Sequence, residues 1–364
     1  MQSIIDKHKI MNEIKAGKEH FSLDELLDKA KECGGLSAIE TNALFQRINE
    51  ENVDDALKTA REVKGKTKGN RAALYTCLYI SNYCANACPY CGYNRDNKRI
   101  SRIMLTPAQI REEAKAILQS GVTDAIIIGG SLPEHKYKKL ILEATHISRE
   151  EGLNPWIEFE NLTVNTLREL HVQGANSFVL FQETYDRELY RTLHANSPYK
   201  KDYDIRLEET EKAVYAGFEN IGIGSLLGLN LNYSFELLGL YHHAQHLLNK
   251  GLDVCISLSS LKQAPGIKIE NYAFSSIELE KMYLALRLAI PGVSLSLSGR
   301  EPAPIRNKLF PIIDHIGTGG VPNPGGRTAY REEYEKGETQ FVLQDKRTPA
   351  QIKTYLSKIG IEAL

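Results

Sequence analysis

The 364-residue sequence predicts an α/β fold, a closed (β/α)8 barrel of the TIM type with a helical extension before it and a short extension after it. Three observations lead there. From about residue 73, short apolar, β-branched runs alternate with longer amphipathic stretches. The runs are nearly continuous in apolar residues, as strands covered by helices must be. Eight of them occur, and eight strand–helix units close a barrel of roughly 250 residues. A doubly wound open sheet is the alternative for the same pattern.

Residues 1–70 place charged and apolar residues at helical spacing, which predicts three or four short helices and no chemistry. Two segments there open with a capping box, Ser22 with Glu25 and Ser37 with Glu40. The barrel is expected over residues 71–320, with strands at ALYTCLYIS (73–81), DAIIIGG (124–130), PWIEFE (155–160) and SFVLFQE (177–183). The remaining strands are NIGIGSLLGL (220–229), DVCISLSSL (253–261), VSLSLSGRE (293–301) and DHIGTGG (314–320). Between the first two lies TPAQIREEAKAILQSG, where Thr106 caps a helix, Pro107 takes its first turn and Gly121 ends it. SFELLGLYHHAQHLLNKG and SIELEKMYLALRLAIPG are two further helices. The C-terminal extension, 321–364, begins with the turn-rich VPNPGGR, continues in an expected strand QFVLQ (340–344) and closes in a helix opening at Thr348-Pro349.

Composition narrows the function. A net charge of −1 and a pI near 6.8 give no field that draws the chain to nucleic acid or to a membrane surface. No run of about 20 apolar residues exists, and the charged N-terminus lacks an apolar signal core, so a cytoplasmic location is expected. The six cysteines are Cys33, Cys77, Cys84, Cys88, Cys91 and Cys255. Three of them crowd into CANACPYC, which reads as a ligand set rather than a disulfide frame.

Cys84, Cys88 and Cys91 fall just after the first strand, on the side of a barrel where chemistry sits. Three thiolates satisfy three irons of a [4Fe–4S] cluster and leave the fourth for an outside ligand. Zinc would want four protein ligands. Cys77 lies mid-strand and no histidine follows within 40 residues, so the fourth is lacking. Cys33 and Cys255 read as buried small hydrophobes.

The C-x3-C-x2-C spacing, with the aromatic Tyr90 before the last cysteine, resembles the radical S-adenosylmethionine (SAM) superfamily. The resemblance implies that SAM chelates the unique iron and is cleaved reductively to a 5′-deoxyadenosyl radical. It extends in order through YISNYCANACPYCGYN, LTPAQIREEAKAILQSG, FQETYDRELYRTLH, YDIRLEETEKAVYAGFENIGIGSLLGL and LSGREPAPIRNKLFPI, from about residue 70 to the end. This series is similar to the aromatic amino-acid lyases: 2-iminoacetate synthase of thiazole biosynthesis, the tyrosine lyase of [FeFe]-hydrogenase maturation, and tryptophan lyase. It implies Cα–Cβ cleavage of tyrosine or a related amino acid. The same barrel with a changed substrate, in organometallic cofactor assembly or natural-product tailoring, is the alternative. The electron donor implied is reduced flavodoxin or ferredoxin.

Single residues follow. Glu158 and Glu160 are two apart on strand three, so they share a face and suit ribose hydroxyls if that face is inward. Gln182 and Glu183 end strand four, and of two adjacent residues one enters the barrel mouth. Arg206 matches an arginine that grips the SAM carboxylate. Arg300 stands where the lyases bind the substrate carboxylate, and Thr318 where they carry a serine that touches it. Tyr79, Ser257 and Ser259 are candidates for the pocket wall, and His194 for a loop role near it. Departures from the family are also visible. Gly129-Gly130-Ser131 lacks an acid that commonly follows the glycines around the SAM amino group. Ser259-Ser260 replaces a proline-arginine pair, and Arg327 follows Gly-Gly where the family has tyrosine. No cysteine follows Cys255, so a second cluster, and with it carbon monoxide and cyanide synthesis, is not expected.

Overall fold

The computed structural model describes residues 4–17, 21–269 and 275–364. Among the described residues, α1 (Lys7–Ala16), α2 (Leu23–Lys31), α3 (Ala38–Arg47) and α4 (Val53–Thr67) precede the first strand. Both capping boxes form as expected. These helices lie against the flank of the barrel, where Leu36 N–H donates to Ala289 O at 3.0 Å and Tyr241 hydroxyl donates to Leu36 O at 2.9 Å.

The barrel strands are β1 (Arg71–Ser81), β2 (Asp124–Gly129), β3 (Asn154–Glu158), β4 (Ser177–Glu183), β5 (Asn220–Leu227), β6 (Asp253–Ser260), β7 (Ser294–Leu297) and β8 (His315–Gly317). All pair in parallel, and β1 pairs with both β2 and β8, which closes the sheet. The open doubly wound alternative is thereby excluded. Helices α5 (Pro107–Gln119), α6 (Glu134–Glu151), α7 (Val164–Val172), α8 (Arg187–His194) and α9 (Tyr203–Ala216) follow β1 to β4. Then come α10 (Tyr233–Leu248), α11 (Ser276–Ala289) and α12 (Ala303–Leu309) after β5, β6 and β7. After β8 lie α13 (Arg331–Glu335), α14 (Pro349–Lys358) and β9 (Glu362–Ala363). Strand β9 pairs with the start of β1, at Arg71 and Ala72. No helix among the described residues is long and apolar enough to cross a membrane.

Several expected strands are corrected. Residues 340–344 form no strand; they run as irregular chain, and it is β9 that adds to the sheet. Strand β3 stops at Glu158, so Glu160 lies just beyond it. Strand β7 stops at Leu297 and β8 at Gly317, because Ser298–Arg300 and Thr318–Gly320 leave the ladder as loops.

Alternation divides the strands into two packing shells. Leu74, Leu78, Ile80, Ala125, Ile127, Ile157, Phe178 and Leu180 join the main core between sheet and helices. Tyr75, Tyr79, Ile126, Ile128, Trp156 and Val179 make a separate inner cluster. On β5 to β7 most inward positions are small, Gly222, Gly224, Cys255, Ser257, Ser259 and Ser296, with Leu226 the large exception. A Cβ at Gly222 would come within 2.8 Å of Val179, and one at Gly224 within 2.6 Å of Phe181, so the large side chains of β4 lean across space that β5 vacates.

The return of the chain from α11 to β7 and β8 is held by one buried cation. Arg287 donates to Ile312 O at 2.9 Å, to Val293 O at 3.0 Å and to the Asp314 carboxylate, which also accepts from Leu295 N–H at 2.8 Å. Replacing Arg287 with Met would leave Asp314 an unpaired buried charge. The expected loss is about 3–5 kcal/mol, read as a lowered denaturant midpoint; a midpoint equal to wild type would show the pair to be dispensable.

Candidate active site

The C-terminal ends of the strands open into a cavity of about 200 Å³. Strand β1 delivers the cysteine loop to it. Asn82 fixes the exit by accepting from Ile103 N–H at 2.7 Å and donating to Ser101 O at 2.8 Å. Arg102 then gathers the loop carbonyls of Asn82 (2.7 Å), Tyr93 (3.0 Å) and Asn94 (2.5 Å). The result turns Cys84, Cys88 and Cys91, all unbonded thiols, into one cavity. Their sulfurs accept hydrogen bonds: Cys84 from Asn86 N–H and Ser131 N–H, both at 3.4 Å, and Cys91 from the Gln340 amide at 3.7 Å. Cys88 Sγ lies 3.7 Å from Ser197 Oγ.

Beside the sulfurs, Gly129-Gly130-Ser131 leave β2 in close contact with the cysteine loop. A Cβ at Gly130 would lie 2.3 Å from Tyr83 O and 2.7 Å from Cys84 Cβ, so only glycine fits. Glu160 accepts from Ser131 Oγ and from Asn86 Nδ2 (2.7 Å) and pairs with the Arg206 guanidinium. Arg206 Nε donates to Phe181 O at 2.8 Å. Glu183 enters from β4 through a register break after Phe181, with a left-handed φ of 71°. It pairs with Lys200 and lies 3.7 Å from Arg206. Burial alone would raise the Glu183 carboxyl, but Lys200 and Arg206 hold it below the usual range.

On the other side the cavity is lined by Tyr75, Tyr79 and Trp156, with Tyr75 and Trp156 stacked at 5.8 Å. Opposite lie the hydroxyls of Ser257, Ser259, Ser296 and Ser298. Arg300 sits flat on Phe341, 3.5 Å from the ring centroid, and has no ion-pair partner among the described residues. Glu301 is instead held by Ser260 and by Lys262 at 3.1 Å. Glu158 also faces the cavity with no ion-pair partner among the described residues. Burial, and then the neighbouring Glu183, raise its carboxyl to about 7, against the pull of Arg206, Arg300 and Lys200.

A sequence model of the radical SAM superfamily matches residues 78–238. The 2-iminoacetate synthase of Salmonella typhimurium is 28% identical over 345 residues, spanning 92% of this chain and 88% of that one. The 3-methylornithine synthase of Methanosarcina barkeri is 33% identical over 290 residues, 78% of this chain and 80% of that one. The crystal structure of HydG, a maturase of the [FeFe]-hydrogenase, superposes with a TM-score of 0.90 at 30% identity, covering 99% of this chain and 80% of that one. This chain belongs to the radical SAM superfamily.

Radical SAM enzymes use a [4Fe–4S] cluster and SAM, and the residues here fit both. Burial pushes the thiols of Cys84 and Cys88 up to about 11 and about 12, which by itself favours their neutral forms. A cationic iron reverses that preference, and the donors already aimed at the sulfurs favour thiolate. A structural zinc takes four protein ligands, whereas three thiolates complete three irons of a [4Fe–4S] cluster and leave the fourth for an outside ligand, so the trio suits a cluster. For SAM, the radical SAM site offers the Gly129-Gly130 backbone, Ser131, Arg206, Glu160 and Glu183 along one wall.

Not every expected residue reaches this radical SAM site. Gln182 points away: its amide donates to Tyr203 O at 3.3 Å, since the residues flanking it on β4 face inward. Thr318 also turns outward, with its hydroxyl 3.4 Å from Arg347 O, because its N–H bonds Tyr75 O and continues the wall of β1. Tyr90 lines the cavity with its ring, while its hydroxyl is taken by His194 Nε2 at 2.7 Å. His194 ends α8 rather than lying in a loop. Its Nδ1 lies 2.8 Å from Tyr190 O, which only accepts, so Nδ1 carries the proton and Nε2 accepts from Tyr90. Burial lowers His194 to about 3, consistent with a neutral ring. Ser260 and Arg327, two departures from the family, bond Glu301 and Glu113 outside the cavity. Sequence reasoning missed Asn86, Lys200, Gln340 and Phe341. Asn86 lies within the cysteine motif itself; the other three carry no local signal.

An acid whose folded pKa is raised contributes stability at low pH and loses it as pH rises through that pKa. For Glu158 the window runs from 4.5 to about 7, worth at most about 3 kcal/mol. With SAM absent, wild type should lose stability relative to Glu158→Gln between about pH 4.5 and pH 7. Parallel denaturant midpoints across that range would show that Glu158 ionises normally.

Proposed function

We propose that this radical SAM enzyme cleaves the Cα–Cβ bond of an aromatic α-amino acid, tyrosine first, releasing p-cresol and dehydroglycine for thiazole synthesis. One observation carries the reading. Six charged side chains line the cavity. Lys200 and Arg206 are engaged with Glu160 and Glu183, which leaves Arg300 and Glu158 without an ion-pair partner among the described residues. That cation and that carboxyl complement a zwitterion. Arg300, held flat by Phe341, accepts the substrate carboxylate through two parallel N–H donors. Glu158 faces the amino group, and desolvation makes it a proton acceptor near neutral pH. Tyr75, Tyr79 and Trp156 surround the ring of the substrate. When bound, the cluster and SAM supply 5′-deoxyadenosyl radical chemistry. Cys84, Cys88 and Cys91 hold the cluster. Ser131, Glu160, Glu183 and Arg206 orient SAM, with Lys200 beside them. Reduced flavodoxin or ferredoxin supplies the electron. The 2-iminoacetate synthase relative supports this reading.

A second reading is the same radical chemistry on a changed amino-acid-like substrate, in cofactor assembly or tailoring. The hydroxyl-rich wall of Ser257, Ser259, Ser296 and Ser298 favours it, since a polar side chain would find partners there that a phenyl ring does not use.

The test is anaerobic incubation of reduced holoenzyme with SAM and tyrosine. p-Cresol formed in step with 5′-deoxyadenosine is expected; deoxyadenosine without cresol selects the second reading. Arg300→Met should lose about 2–3 kcal/mol of substrate binding, on the order of 10²-fold in kcat/KM, while uncoupled SAM cleavage persists. An unchanged kcat/KM would remove Arg300 from the carboxylate site.

A further inference from the structure

The segment from Thr339 to Asp345 crosses the open end of the barrel as a strap. Its backbone is pinned along its length: Gln340 N–H donates to Pro322 O at 2.9 Å, Val342 N–H to Gln263 O at 3.1 Å and Asp345 N–H to Gly299 O at 3.1 Å. The strap meets the cysteine loop at Gly92, directly after Cys91, where Gly92 N–H donates to Gln340 O at 2.9 Å. A Cβ on Gly92 would lie 2.5 Å from Thr339 O and 2.6 Å from Gln340 O, so the two backbones touch. Gln340 thus has little freedom to move off the sulfur. Its Nε2 donates to Cys91 Sγ at 3.7 Å, and its Oε1 accepts from Tyr79 hydroxyl at 2.8 Å. The orientation follows from chemistry: a cluster-bound thiolate only accepts, so the nitrogen faces it, and the oxygen left over needs a donor. Tyr79 is itself held edge-on by Tyr93 at 6.0 Å, whose hydroxyl donates to Pro322 O at 3.0 Å.

We propose that Gln340 is a positioning residue for the cluster, which tunes its reduction potential by donating a hydrogen bond to the Cys91 sulfur, with Tyr79 locking the amide in place. Reduction adds an electron that spreads onto the sulfurs. An N–H donor stabilises the added charge and raises the potential. The other sulfur donors near Cys84 are backbone N–H groups fixed by the loop; Gln340 is a side chain recruited from the far end of the sequence. The proposal rests on the cluster and not on the choice of substrate, so its failure leaves the lyase reading standing.

The experiment is a potentiometric titration of reconstituted holoenzyme followed by electron paramagnetic resonance, without SAM or substrate. In Gln340→Leu the midpoint should move to a more negative potential. Tyr79→Phe should move it less, in the same direction. A Gln340→Leu protein with a full iron and sulfide load whose midpoint is unchanged or more positive overturns the proposal. If that variant does not load its cluster, wild type carrying glutamine labelled with ¹⁵N in the side chain decides. Hyperfine coupling of that nitrogen to the reduced cluster is expected, and its absence overturns the proposal.

Discussion

Charge that cannot be left alone in a place without water governs the open end of this barrel. The three sulfurs of the cysteine motif line one cavity with three carboxylates and three cations. The effective cost of each unpaired ion there is several kcal/mol. The arrangement answers that cost group by group. Glu160 receives Arg206, Ser131 and Asn86. Glu183 receives Lys200, and reaches it through a strand irregularity with a left-handed residue. The sulfurs receive backbone and side-chain N–H donors. Whatever stays uncompensated after this accounting is what a ligand has to complete.

The barrel wall makes the room by an uneven choice of side chains. Strands β1 to β4 send Tyr75, Tyr79, Trp156 and Phe181 inward, whereas β5 to β7 send mostly glycine and serine, with Cys255 and Leu226 among them. A barrel of this kind normally fills its interior with branched residues in layers. Here the bulk sits on one side and lies over the emptied side, as the near-contacts of Val179 and Phe181 with the Gly222 and Gly224 positions record. The cavity is therefore a property of which residues face inward and needs no lid.

This division also explains what was legible in the sequence. The strands were readable because their outward faces are continuous apolar runs packed under helices. The cysteine motif was readable because its spacing is local. Glu158 and Glu160 were reachable through parity on the expected strand, although Glu160 lies just beyond the end of β3, and parity left Gln182 and Glu183 as alternatives that the bulge decides. Arg206, on α9, and Thr318 were placed by resemblance, and Thr318 misses the cavity because β8 spans only His315–Gly317 and the chain turns there. QFVLQ looked like a strand because Phe341-Val342-Leu343 is a short apolar run. Two of its side chains answer tertiary contacts instead: Phe341 under Arg300, and Leu343 3.2 Å from the Cβ positions of Gly299 and Gly320. Lys200, Gln340 and Phe341 act at the site only through contacts far apart in sequence, for which no local pattern exists.

The strap is where the sequence-distant contacts converge, and its anchoring sets the precision of the site. Asp345 binds the buried guanidinium of Arg306, which also donates to Gly317 O at the end of β8, and Arg347 pairs with the same carboxylate at 2.6 Å. One carboxylate thus fastens the strap to the last barrel strand. From that anchor two consecutive residues reach different partners: Phe341 lies under Arg300, while Gln340 touches the sulfur of Cys91 and the hydroxyl of Tyr79. A shift of the strap would disturb both the cation and the sulfur at once. The guanidinium and the sulfur are therefore positioned by one continuous piece of backbone, so that errors in their placement are shared rather than independent.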